Sequence, residues 1–293
     1  MIALAPERTP MRWLLLELLC VLVVGTPLAH AADTSQFVEV RGAKLYVETF
    51  GGGAPILFLH GGAVFFDNNF AAQRDYFAPF RKVIGFDRRG HGHSADDGRP
   101  FSYEEMAEDT AALIEKLGIA PVDVVGHSDG ADIGLILAHD HPSLVRRLVI
   151  SGANLGSGIT PDEVKRRSES PEREADALMR LGKHIPAWFR PDYEKVSPEG
   201  PGHWNAFLAK SWRLWMTPVV IERADLAAIR IPVLVMAGDH DLSSLEETIS
   251  IYRALPSGQL AILPGTGHGT FTQRADLSNV LVREFLEAKS DVR

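Results

Sequence analysis

The run Val122-Asp123-Val124-Val125-Gly126-His127-Ser128-Asp129-Gly130-Ala131-Asp132-Ile133-Gly134 decides how the chain is read. Val122 to Val125 is a short, mostly apolar segment, the mark of a strand buried on both faces. Gly126-His127-Ser128-Asp129-Gly130 then fits Gly-x-Ser-x-Gly, and a helix is expected from about Gly130 to His139. Five positions with three small residues recur by chance. A strand before them and a helix after them make the pattern specific, because a sharp strand-to-helix turn lifts its central serine into the open. Side chains two positions either side would collide in such a turn, so glycines flank it.

Outward from this point, strand-like and helix-like segments alternate. Gln36 to Arg41 and Ala43 to Phe50 read as a hairpin turning at Arg41-Gly42. Pro55 to Leu59, Lys82 to Phe86, Leu148 to Ser151, Val233 to Ala237 and Leu260 to Leu263 read as further strands. Ser102 with Glu105 forms a capping box ahead of a helix that ends at Gly118, and a last helix is expected around Leu277 to Ala288. Such alternation implies a mostly parallel sheet with helices on both faces, an α/β fold. The stretch from about 155 to 225 breaks the rhythm and reads as several short helices inserted between two core strands. Residues 32–293 are therefore expected to form one domain.

Residues 1–31 stand apart. Arg8 and Arg12 precede an apolar run from Trp13 to Val24, and Ala29-His30-Ala31 closes it, as in a cleaved secretory signal. Export to the periplasm or medium is expected, with no stable membrane anchor after cleavage. An uncleaved anchor is the alternative. The one cysteine, Cys20, lies in that run, which excludes a nucleophilic cysteine or a cysteine zinc site from the mature chain. A net charge of -8 argues against general nucleic-acid binding.

A serine hydroxyl needs a base. Of eleven histidines, His268 sits in Pro264-Gly265-Thr266-Gly267-His268-Gly269, a loop just after the last strand and therefore at the sheet edge that carries Ser128. An acid is expected between them, and Gly238-Asp239-His240-Asp241 offers two. His60-Gly61-Gly62-Ala63 follows the strand Pro55 to Leu59. Two amide hydrogens must face the oxygen that becomes negative, one from Asp129 and one from Gly62 or Ala63. The pairs His91/His93 and His139/His141 look like chelates, but two ligands make no complete site, and no metal or other cofactor is expected.

Taken together, His60-Gly61-Gly62, Asp87-Arg88-Arg89-Gly90-His91-Gly92-His93-Ser94, the Ser128 elbow, Gly238-Asp239-His240-Asp241 and Gly267-His268 resemble the α/β-hydrolase superfamily over nearly the whole mature chain. The elbow and Gly152-Ala153-Asn154 are similar to those of its valacyclovir-hydrolase-like, lactonase and esterase branches. The resemblance implies an eight-stranded sheet in the order 1-2-4-3-5-6-7-8, a helical cap after strand six, and Asp241 as the acid. Ser128 sets aside the branches that use an aspartate nucleophile.

The expected chemistry is acyl transfer to Ser128 from a small ester-type substrate, with His268 as base and Asp241 orienting it. Lactone opening, C–C bond hydrolysis, perhydrolysis and a non-catalytic binding role are the rivals. Ala63, Phe65, Trp188, Trp212 and Trp215 are candidate pocket residues, and Phe66 is a further one. The Asp129 carboxylate could select a cationic substrate group or serve only the elbow.

Overall fold

The computed structural model describes residues 33–155, 185, 187–216, 219, 221 and 223–288. Residues 1–31, expected from sequence to be a signal, and much of the expected insertion lie outside them. Strands β1 (Thr34–Val40) and β2 (Ala43–Phe50) form an antiparallel hairpin. Arg41 and Gly42 both have positive φ, 46° and 80°, the two-residue turn whose twist matches its strands.

Next come β3 (Pro55–Leu59), helix α1 (Phe66–Phe77), β4 (Lys82–Phe86), α2 (Tyr103–Leu117), β5 (Val122–His127), α3 (Asp129–Asp140) and β6 (Val145–Ser151). Within the insertion lie α4 (Phe189–Val196), α5 (Trp204–Trp215) and α6 (Arg223–Leu226). The chain returns through β7 (Val233–Gly238), α7 (Leu245–Ala254), β8 (Gly258–Leu263), α8 (Thr270–Gln273) and α9 (Ala275–Glu287). One eight-stranded sheet results, in the order β1-β2-β4-β3-β5-β6-β7-β8, parallel from β4 onward.

Strand side chains alternate between faces, and the core divides accordingly. Leu57, Leu59, Val124, Leu148 and Ile150 pack with residues of α2, α3 and α7 on one face. Ile56, Phe58, Val125, Val149 and Met236 pack with α1 and α9 on the other. Most central strand residues are fully buried, which is why β3 and β5 read as apolar runs.

Helix α1 is the element that the sequence conceals. It begins Phe66-Asp67-Asn68-Asn69, poor helix formers whose side chains compete for the backbone. Its N-terminus is capped from a distance, Phe66 N–H donating to Asp87 Oδ1 at 3.0 Å, beyond the end of β4. The expectation that Phe66 lines a pocket is corrected here. Its ring is fully buried beneath the sheet, where a Cβ on Gly85 would overlap it.

The described part of the insertion stands over the carboxyl edge of the sheet. Tyr193, Trp204, Phe207 and Leu208 form a small core with Ala63. Lys210 pairs with Asp96, and the Asp96 amide donates to Glu199 Oε1 at 2.7 Å, fastening the insertion to the loop after β4.

A Cβ on Gly130 would overlap the Leu59 carbonyl, and one on Gly126 would overlap the Gly130 carbonyl. Gly130→Ala is therefore expected to lower stability by about 1–3 kcal/mol through forced backbone movement. Denaturant unfolding of the variant measures this, and an unchanged midpoint would refute the packing argument.

Candidate active site

Strand β5 runs straight into Ser128, which acts as N-cap of α3 with φ 53° and ψ −122°. That geometry is strained for a residue with a side chain. It is held by Ser128 N–H donating to Ser151 O at 2.8 Å and by Ala131 N–H donating to Ser128 O at 2.7 Å. The Ser128 side chain is half-buried at the carboxyl edge of the sheet.

His268 lies on the loop between β8 and α8 at the same edge. Its Nδ1 is 2.6 Å from Asp241 Oδ1, and the Asp241 side chain is completely buried. The amides of Ser243 and Gly238 also donate to that carboxylate. Burial works to raise the Asp241 pKa, but the hydrogen bond and charge of His268, with those amides, hold it below the usual carboxylate value. Asp239, the other candidate, has a different task. It accepts Thr266 N–H at 2.9 Å and so shapes the loop that carries His268.

Two residues named in the sequence motifs but given no role from them bring this loop to the elbow. His127 Nε2 donates to the His268 carbonyl at 2.8 Å, tying position 127 to position 268. Gly152, with φ 68°, ends β6 where a Cβ would come within 2.8 Å of His268 Cε1. Only glycine admits the imidazole there.

The amides expected to bind an oxyanion are placed as follows. Gly61 N–H donates to Asn69 Oδ1 at 2.8 Å, so it is occupied. The amides of Gly62 and Asp129 have no acceptor among the described residues. Nothing in the sequence pattern marked Asn69, which sits on the concealed helix α1.

The candidate pocket residues separate. Ala63 is buried against the insertion with φ 57°. Phe65 is buried beside Gly92, edge-on to His93. Trp212 is half-buried on α5. Trp215, near the end of α5, lies over Gly62, where a Cβ would meet its ring at 2.6 Å. Trp188 is 45% exposed and packs on Phe189, turned outward.

The Asp129 carboxylate is buried and occupied. Tyr103 Oη donates to Oδ1 at 3.1 Å, and Trp215 Nε1 lies 3.1 Å from both oxygens. The paired histidines serve separate hydrogen bonds. His91 Nδ1 donates to Arg89 O, His93 Nδ1 bonds Asp87, His139 bonds Asp140 and His141 bonds Glu108. Among the described residues no three His, Cys, Asp or Glu side chains gather as a metal site.

An α/β sheet with a strained serine at its central strand-to-helix turn, and an aspartate-bound histidine at the same edge, defines the class of α/β-fold hydrolases. The model of the alpha/beta hydrolase family matches residues 56–279, and the chain belongs to that family. It is 28% identical to a non-heme haloperoxidase of Rhodococcus erythropolis, over 84% of this chain and 97% of the other. It is 26% identical to the serine hydrolase BPHL of Homo sapiens, over 87% of each. An esterase structure from Exiguobacterium antarcticum superposes with a TM-score of 0.71, at 24% identity, over 88% of this chain and all of the other.

Two measurements follow from the site's electrostatics. Burial first, then the His268 charge, brings His127 down to about 4. The unfolded chain takes up that proton near 6.5. Between those values the unfolded state binds more protons, so stability falls as pH falls and is fully present above pH 6.5. Asp241, depressed in the fold, acts in the same direction at lower pH. His127→Gln should remove about 3 kcal/mol of the decline across pH 6.5 to 4. Denaturant unfolding over that range tests it, an unaltered slope being the contrary result.

The second concerns Asp129. With its carboxylate already occupied, Asp129→Asn should leave the preference between amino-acid esters and their des-amino analogues within about twofold of wild type. A collapse of that preference would show that the carboxylate reads a substrate amine.

Proposed function

We propose that the protein is a serine hydrolase that cleaves a small ester-type substrate through an acyl-enzyme on Ser128. The observation that carries this reading is the 2.6 Å contact between His268 Nδ1 and a buried, ionised Asp241, on a loop tied to the residue beside Ser128. Asp241 fixes the Nδ1–H tautomer and leaves Nε2 free to take the serine proton as Ser128 Oγ attacks the carbonyl. The amides of Gly62 and Asp129 hold the oxyanion. The protonated imidazole then gives its proton to the leaving alkoxide. Water, deprotonated by the same imidazole, releases the acid.

The kinship with a protein named serine hydrolase supports the nucleophile, and the esterase neighbour shares the fold. Trp215 and Ala63, beside Gly62, are proposed to border the acyl group. Trp188 is the weakest of the pocket candidates because it faces outward. Export, with cleavage after Ala31, is proposed from residues 1–31 alone.

Replacing Ser128 or His268 with alanine should lower turnover by about 10⁶ if they act as a unit. Asp241→Asn should lower it by about 10⁴. A fluorophosphonate should label wild type and not Ser128→Ala. A panel of esters and lactones of graded chain length, followed by product analysis, identifies the bond cleaved. Turnover that survives in Ser128→Ala would defeat the mechanism, and a C–C substrate preferred over every ester would replace the substrate class.

A further inference from the structure

We propose that Arg88 is a positioning residue of the oxyanion hole, aiming the Gly62 amide from behind; the inference rests on the acyl-transfer reading above. Arg88 follows β4, and its side chain is 2% exposed. Nη1 donates to the His60 carbonyl at 2.7 Å and Nη2 to the Gly61 carbonyl at 2.9 Å.

The planar trans peptide turns those contacts into direction. In each unit the C=O and the N–H point to opposite sides. The unit joining residues 60 and 61 is gripped at both ends, its oxygen by Arg88 and its N–H by Asn69. The unit joining 61 and 62 is gripped at its oxygen only, by Arg88 and by His60 Nδ1 at 2.8 Å. Its N–H, that of Gly62, is the one group of the four with no partner among the described residues. It therefore points away from the guanidinium.

His60 is itself set by Arg88, whose backbone N–H donates to His60 Nε2 at 3.1 Å. Burial first, then the Arg88 charge, pushes the imidazole well below its usual pKa, so Nδ1 carries the proton and Nε2 accepts. The second amide of the hole is linked to the same guanidinium. Arg88 Nη2 lies 3.8 Å from the Asp129 carboxylate, which Tyr103 and Trp215 anchor on its other sides. A planar fork reaches two carbonyls and a carboxylate together, and a lysine ammonium cannot. The Arg88 Nε is buried with no partner among the described residues, a costly arrangement if the residue only closed a loop.

The test uses p-nitrophenyl acetate with Arg88→Met, Arg88→Lys and Tyr103→Phe, each checked for folding by thermal unfolding. Arg88→Met should lower kcat by about 10²–10³ with KM within about threefold, the signature of a contact made only in the transition state. Arg88→Lys should recover part of that loss, and Tyr103→Phe should show a fall of about fivefold, again in kcat. If Arg88→Met does not fold, the other two variants decide.

Folded Arg88→Lys and Tyr103→Phe that keep kcat within about twofold, or that change KM alone, overturn the proposal. Ser128→Ala, run alongside, separates the two failures. An active Ser128→Ala removes the acyl-transfer reading and this proposal with it, whereas an inactive one beside unaffected Arg88 and Tyr103 variants removes this proposal only.

Discussion

The site depends on one backbone constraint, the turn at Ser128. A non-glycine residue at φ 53° and ψ −122° stores about 1–3 kcal/mol. It persists because its surroundings leave no alternative. The Ser128 amide is committed to Ser151 on the next strand and its carbonyl to the first turn of α3, while Gly126 lets α3 lie close on β5 and Gly130 lets it lie close on β3. Relaxing the turn would pull α3 off the sheet and uncover the core face shared by Leu59, Val124 and Leu148. The energy that holds the serine out is thus the burial energy of the domain.

The partners are held by polar contacts rather than by packing. The His268 loop is shaped by Asp239, anchored through His127 and oriented by Asp241. Each contact is buried or half-buried, where a hydrogen bond is strong and an unmade one is expensive. This also explains the many neutral imidazoles. His60, His91 and His127 are kept uncharged by burial and spend both ring nitrogens, or one, as fixed hydrogen-bonding struts. Histidine supplies a donor and an acceptor on one rigid ring, which suits a crowded loop junction.

The insertion is coupled to the same junction. Trp215 covers Gly62 while its Nε1 meets the Asp129 carboxylate, and Tyr193, Trp204 and Phe207 gather over Ala63. Most of these aromatics join insertion to core. Among the described residues they come to the oxyanion turn where α5 ends, at Trp215.

The sequence alone determined the alternating architecture, the elbow and the histidine, because each is written in residues close together. Apolar runs mark buried strands, small residues at fixed offsets mark the turn, and a histidine in a glycine loop after the last strand falls on the same edge. Boundaries shifted by a few residues: β6 begins at Val145 and β8 at Gly258. Tertiary structure decided what depends on distant partners. Helix α1 is capped by Asp87, Asn69 occupies the Gly61 amide, and the histidine hydrogen bond goes to Asp241 and not Asp239, a choice that the local residues left open and only the family resemblance anticipated. The Asp129 carboxylate, which local sequence left open to a ligand, is filled by Tyr103 and Trp215 from two other elements. Periodicity reports which face of one element is buried; it carries no record of which side chain from another element meets it there.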